Sequence, residues 1–127
     1  MKKQDLPLSP HLQIYKPQIT SLLSISHRIS GVALNFMLVI LVLGLLCITM
    51  GESYFELLIS LITSFPVKII IFLAILGFSY HFLNGIRHII WDFGFLLGNR
   101  SSAIFGYISI ATSFISSIFI AKLLGLF

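Results

Sequence analysis

The sequence predicts an all-α integral membrane protein with three transmembrane helices, from its composition and the spacing of its charges. Of 127 residues, 57% are hydrophobic and 9% are charged, whereas soluble domains average about 45–50% and about 25%. Three stretches without Asp, Glu, Lys or Arg cover residues 29–51, 69–86 and 101–121. A soluble chain of this length could not bury so much apolar surface, because small domains bury the smallest fraction of their area. This excludes a soluble hydrolase, a disordered tail and, with Cys47 alone, a disulfide-stapled secreted module.

Each charge-free stretch is long enough to cross a bilayer as a helix. The 23 residues of the first stretch rise about 34 Å as an α-helix, against a hydrocarbon core of about 30 Å. Strands are excluded, because the stretches are apolar on all sides rather than alternating. We expect a single membrane-anchor domain over residues 1–127, with an arm kept extended by prolines at 1–19 and helices at about 20–50, 66–97 and 101–125.

The charges predict the orientation of the chain rather than a nucleic-acid partner. The net charge is +4, but the basic residues occur in ones and twos and form no basic face. Six flank one side of the membrane (Lys2, Lys3, Lys16, Arg28, Arg87 and Arg100) and two flank the other (Lys68 and Lys122). Because basic residues are enriched in cytoplasmic loops, the amino terminus is expected to face the cytoplasm.

Polar residues inside the predicted spans form two stripes. At 100° per residue, one face of the second helix carries Gly77, His81, Asn84, Gly85, His88 and Asp92, and one face of the first carries Ser24, His27, Arg28, Gly31 and Asn35. Such residues are costly in lipid, so the two stripes are expected to face each other or a cofactor. The third helix carries only small hydroxyl residues (Ser109, Thr112, Ser113, Ser116 and Ser117), which are expected to serve packing.

The space between the stripes suits a haem. His81 can supply an axial imidazole, Gly77 and Gly85 leave room for a ring, and Arg28 with His27 can pair with propionates. A membrane histidine is also explained by interhelical hydrogen bonds or a proton relay. The other polar residues also have explanations that need no cofactor. His88 can contact lipid headgroups, Arg28 can extend its charged group to the membrane surface, and Asp92 can be solvated.

Depth in the membrane limits how such a haem could be held. His81 lies about 10 Å deeper than His88, and we expect no other histidine of this chain at its depth, with His27 near the inner surface. A six-coordinate haem at His81 would need its second ligand from another polypeptide. Alternatively, His27 and His88 of this chain could both be ligands of the haem iron. The residues alone do not distinguish these two arrangements.

Three motifs then resemble those of the cytochrome b membrane-anchor subunit of succinate dehydrogenase. They are SPHLQIY at residues 9–15, SISHRISG at 24–31 and HFLNGIRHIIWDFG at 81–94. Their order and spacing agree with that family, as does the three-helix plan. The match covers the arm, the start of the first helix and most of the second.

The resemblance implies roles for particular residues. His81 matches the axial ligand of a b-type haem whose other ligand comes from a partner anchor subunit. His27 and Arg28 match residues at the haem propionates, and Gly85 and His88 fall in the haem surround. Ser24 and Arg28 match the ubiquinone pocket, with Asp92 close to it.

The resemblance also implies a complex with a second hydrophobic anchor, an iron-sulfur subunit and a flavoprotein, in which succinate is oxidised outside this chain. Membrane lipid surrounds it and no nucleic acid is bound. A bacterial inner membrane is expected, or a mitochondrial one if the gene is organelle-encoded. A quinol:fumarate reductase anchor, a haem-free structural anchor and, less favoured, a small proton-coupled transporter using His81, His88 and Asp92 stay open.

Overall fold

Four helices make up the described part of the chain, residues 16–127 of a computed structural model. They are α1 (Ile19–Thr49), α2 (Glu52–Thr63), α3 (Phe65–Asp92) and α4 (Asn99–Leu123). Helices α1, α3 and α4 are long and apolar enough to cross a membrane, which confirms the three predicted spans. The predicted amino-terminal arm lies largely outside the described residues.

The short helix α2 was not predicted. Its 12 residues rise about 18 Å, too little to cross the bilayer. Gly51 precedes it with φ +111°, a backbone conformation that L side chains rarely adopt, and this turn separates α2 from α1. Helix α2 lies in the interval between the first two predicted helices, at about 20–50 and 66–97.

Helix α3 ends at Asp92, short of the predicted boundary near residue 97. Gly94 has φ +80°, and its N–H donates to the Trp91 carbonyl while the N–H of Phe95 donates to the Ile90 carbonyl. These two bonds form a Schellman motif, in which a glycine at the left-handed position ends the helix. The start of α3 follows expectation, with Pro66 in its first turn.

The bundle has small and polar residues inside and apolar residues outside. Helix α3 lies centrally and packs against both α1 and α4. The buried face of α4 is made of small residues, namely Ser102, Gly106, Ser113, Ser117 and Ala121, which is typical of helices that pack in lipid. The hydroxyls of Ser109, Ser113, Ser116 and Ser117 donate to carbonyls of their own helix.

Candidate functional site

A lateral groove between α1 and α3 contains the predicted haem ligand. Its volume is about 910 Å³, within the range of about 300–1,000 Å³ found for small-molecule and cofactor pockets. The polar lining residues are His27, Arg28, Asn35 and His81, and the others, which include Val32, Met37 and Phe78, are apolar or glycine. Some residues of each predicted polar stripe therefore line this groove.

His81 is held by one ring nitrogen. Its Nδ1 lies 3.1 Å from the His27 carbonyl oxygen and 3.1 Å from Ser30 Oγ. Because a carbonyl oxygen only accepts, Nδ1 carries the hydrogen and donates. Nε2 then has a free lone pair, and it has no hydrogen-bond partner among residues 16–127.

His27 binds His81 in return. Its Nε2–H donates to the His81 carbonyl oxygen at 3.1 Å, and the two rings stack with centroids 4.0 Å apart and an interplanar angle of 8°. The expectation that no other histidine of this chain lies at the depth of His81 is therefore wrong. Helix α1 begins at Ile19, so His27 already lies about 12 Å along its axis.

Gly31 makes room for the His81 ring, and neither Gly77 nor Gly85, the two glycines expected to leave room for a haem, lines the groove. A Cβ at Gly31 would stand 2.9 Å from His81 Cε1, whereas one at Gly77 would have no atom within 4 Å. Gly77 lines a different cavity, with Tyr80 and residues of α4. A Cβ at Gly85 would lie 3.8 Å from His27 Nε2, so Gly85 accommodates His27.

A second, smaller pocket of about 350 Å³ lies towards the start of α1. Ser24 and Arg28 line it together with Trp91, Thr20, Ser21 and Ile25. Arg28 therefore lines both the pocket and the groove. Asp92, the last residue of α3, is exposed and does not line the pocket.

His88 and Trp91 continue the ring contacts from His27 towards this pocket. The His88 ring centroid lies 5.2 Å from that of His27, at an angle of 48°. The Trp91 ring packs edge-on against His88, with centroids 5.0 Å apart. Four aromatic side chains thus connect the groove with the pocket.

Arg87 is buried, in contrast to the prediction that it flanks a loop at the membrane surface. It is 3% exposed, and its guanidinium donates to Asn84 Oδ1 at 3.0 Å and to the carbonyl and hydroxyl oxygens of Ser102 at 3.1 Å each. Its Cζ lies 4.1 Å from the Trp91 ring centroid, a cation–π contact. Arg87 therefore connects α3 with α4 and holds one wall of the smaller pocket.

Asn84 faces the bundle interior, not the groove. It is fully buried, and besides accepting from Arg87 it donates to the Leu23 carbonyl at 3.4 Å. Tyr80 donates to the same carbonyl at 2.9 Å. A stripe assigned from 100° steps is wide enough to contact two different surfaces. Asn84 lies on the side of α3 that faces the bundle interior, where it contacts Leu23 of α1 and Arg87.

Sequence reasoning missed Ser30, Trp91 and the role of Gly31. Ser30 follows His27 by three residues, which places its hydroxyl near the His27 carbonyl of the preceding turn. Trp91 lies three residues after His88, on the same side of α3. These spacings are visible in the sequence, but they do not show which residues of a neighbouring helix Ser30 and Trp91 contact.

The fold and the groove define an all-α integral membrane protein with an imidazole presented between two spans. Residues 2–120 match the family described as succinate dehydrogenase/fumarate reductase transmembrane subunit. The chain belongs to this family, and the resemblance seen in its motifs is confirmed.

Individual relatives agree with the family match. The succinate dehydrogenase cytochrome b556 subunit of Rickettsia typhi is 42% identical over 107 residues, which cover 84% of this chain and 83% of that protein. The cytochrome b560 subunit of Marchantia polymorpha is 44% identical over 101 residues, covering 75% and 73%. That of Reclinomonas americana is 37% identical over 114 residues, covering 86% and 79%.

Proposed function

We propose that this chain is the haem-binding membrane anchor of a succinate dehydrogenase, with His81 as an axial ligand of a b-type haem. The observation that supports this most directly is that His81 lines the groove with Nδ1 hydrogen-bonded, while its Nε2 has no hydrogen-bond partner in the described part of the chain. A ligating histidine needs this arrangement, since one nitrogen binds the metal while the other is held by an acceptor. The relatives named as cytochrome b subunits support the same assignment.

The second axial ligand is proposed to come from the other hydrophobic anchor subunit. The rings of His27 and His81 stack face to face, an arrangement in which they would not both bind one iron, so His81 would hold the haem without His27. His27 also uses Nε2 on the His81 carbonyl, which disfavours the alternative pair of His27 and His88. His11 lies outside the described residues.

The polar end of the groove suits the haem propionates. Arg28 is the cation among the lining residues, and an arginine can hold a carboxylate with two parallel hydrogen bonds. A contact between His27 and a propionate would require the doubly protonated imidazolium, because Nε2–H already donates to the His81 carbonyl and an unprotonated Nδ1 only accepts. His88 packs behind His27 and Gly85 accommodates the His27 ring, so we assign both to the haem surround. When bound, the haem supplies one-electron chemistry.

The smaller pocket is proposed as this chain's part of a ubiquinone-reduction site. Quinone oxygens gain electrons and protons, so they need a hydrogen-bond donor and a nearby cation. Ser24 supplies the hydroxyl, Arg28 the positive charge and Trp91 an apolar wall. Asp92 lies outside the pocket, and its proposed part is to exchange protons with water close by.

The remaining partners are proposed from the family. A flavoprotein oxidises succinate, an iron-sulfur subunit passes the electrons to the quinone, and this chain with the second anchor holds both at the inner membrane, with its amino terminus in the cytoplasm. The family description also includes fumarate reductase, but the three relatives described above are succinate dehydrogenase subunits. This favours succinate oxidation.

A reduced-minus-oxidised absorption spectrum of the purified complex tests haem ligation. His81→Ala should abolish the b-type band while the complex stays assembled. Met37→Leu is the matched control, because Met37 also lines the groove and methionine is an alternative axial ligand; its band should be unchanged. An unaltered band in His81→Ala would refute ligation, and a wild-type complex without any b-type band would favour a haem-free anchor.

A further inference from the structure

Ser30 makes a hydrogen bond to each partner of the His27–His81 pair. Its hydroxyl donates to the His27 carbonyl oxygen at 2.8 Å, and its Oγ lies 3.1 Å from His81 Nδ1. Because the hydroxyl hydrogen is used on the carbonyl, the lone pairs of Oγ are available to the Nδ1–H. The Nδ1–H is therefore shared between two acceptors, Ser30 Oγ and the His27 carbonyl.

This arrangement favours one tautomer of His81. A hydrogen on Nε2 instead would leave the Nδ1 lone pair facing the His27 carbonyl at 3.1 Å. It would also block the nitrogen that has no hydrogen-bond partner among residues 16–127. Two acceptors around Nδ1 thus keep Nε2 free of hydrogen and fix the plane of the ring against Gly31.

We propose that Ser30 is a positioning residue for the haem: its oxygen orients His81 and makes the imidazole a stronger electron donor to iron. The inference rests on the proposed ligation by His81. Hydrogen bonding to the remote nitrogen of a ligating histidine raises its basicity, and stronger donation stabilises the oxidised iron. Ser30 therefore lowers the reduction potential of the haem.

Redox titration of the haem absorption in the intact complex tests this role. Ser30→Ala should raise the midpoint potential, and Ser30→Thr should restore it, because threonine keeps a hydroxyl that bonds the same turn. Ser30→Cys keeps the size of the side chain with a weaker acceptor, so it should shift the potential in the same direction by less. Thr49→Ala is the matched control, since Thr49 donates to the Leu46 carbonyl three residues back, as Ser30 does to His27, but contacts no histidine.

Each result in the Ser30 variants either supports or overturns the role proposed for Ser30. An unchanged or lowered potential in Ser30→Ala, with haem bound, would overturn the inference while leaving ligation by His81 intact. Loss of haem from an assembled Ser30→Ala complex, but not from Thr49→Ala, would support the orienting role. If Ser30→Ala does not assemble, the potential of Ser30→Cys decides. Failure of ligation itself would appear separately, as an unaltered band in His81→Ala.

Discussion

Gly31 of α1 lies so close to the His81 imidazole of α3 that an added methyl group would stand 2.9 Å from Cε1. This approach brings the two helices together at the depth of the candidate ligand. The ring fits between Gly31 on one side and the stacked His27 on another, so its orientation depends on the absence of a side chain at residue 31.

Gly31→Ala should therefore reduce the haem content of the purified complex. The ring cannot yield easily, because it is hydrogen-bonded through Nδ1, and overpacking of this kind costs about 1–3 kcal/mol. The haem-to-protein ratio measures the effect. Gly77→Ala is the control: it lies one turn from His81 on the same helix with nothing within 4 Å, so its haem content should equal the wild type. Equal losses in both would contradict the specific contact.

Arg87 should matter for assembly more than its position near a helix end suggests. Arg87→Met removes three hydrogen bonds and leaves Asn84 Oδ1 and the Ser102 oxygens without their donor. Each buried group left unsatisfied costs about 1–3 kcal/mol, so the melting temperature of the complex should fall. Arg100→Met, an exposed residue of α4, should leave it near the wild-type value. A normal melting temperature in Arg87→Met would show that the cluster contributes no stability.

Ser24→Ala should impair quinone reduction without impairing succinate oxidation. Loss of a hydrogen-bond donor in the pocket should lower the quinone-dependent rate about tenfold, or ~1.4 kcal/mol. Succinate oxidation measured with an artificial acceptor should stay normal, because it bypasses the pocket. Ser60→Ala on α2, whose hydroxyl bonds only its own helix, serves as the control.

Asp92→Asn should reduce the quinone-dependent rate less than Ser24→Ala does. Asp92 is exposed and does not line the pocket, so we expect it not to contact the quinone. A loss as large as that of Ser24→Ala would instead indicate direct contact within the assembled complex.

The orientation predicted from basic residues can be read by cysteine labelling. In a Cys47→Ser background, Ser53→Cys at the start of α2 should react with a membrane-impermeant maleimide added outside intact cells. Ser101→Cys, near the start of α4, should not react. The reverse pattern would place the amino terminus outside. Labelling tests the orientation independently of the charge count, in which Arg87, one of six basic residues, is buried.

Hydrophobic patterning predicted the spans well because lipid imposes it directly. A helix that crosses the bilayer must be apolar on the faces that meet lipid, so α1, α3 and α4 are visible in composition alone. The polar stripes likewise predicted that His27 and His81 lie on facing sides of α1 and α3. Both inferences need only the period of a single helix.

Relations between helices were harder to predict, because they depend on packing. The depth of His27 relative to His81 follows from where α1 begins and where the two helices approach, and neither is encoded in a helical period. For the same reason Arg87 was assigned to a loop edge, although Ser102 of α4 accepts two of its hydrogen bonds. Ser30 belonged to a matched motif, yet its partner became apparent only when both helices were in place.

The shared position of Arg28, on the wall of both the groove and the smaller pocket, limits what genetics can learn from it. Any allele at this codon disturbs two neighbouring compartments at once, so its phenotype is a composite. Separation-of-function alleles should instead be sought at Ser24, which belongs to one compartment, and at His81, which belongs to the other.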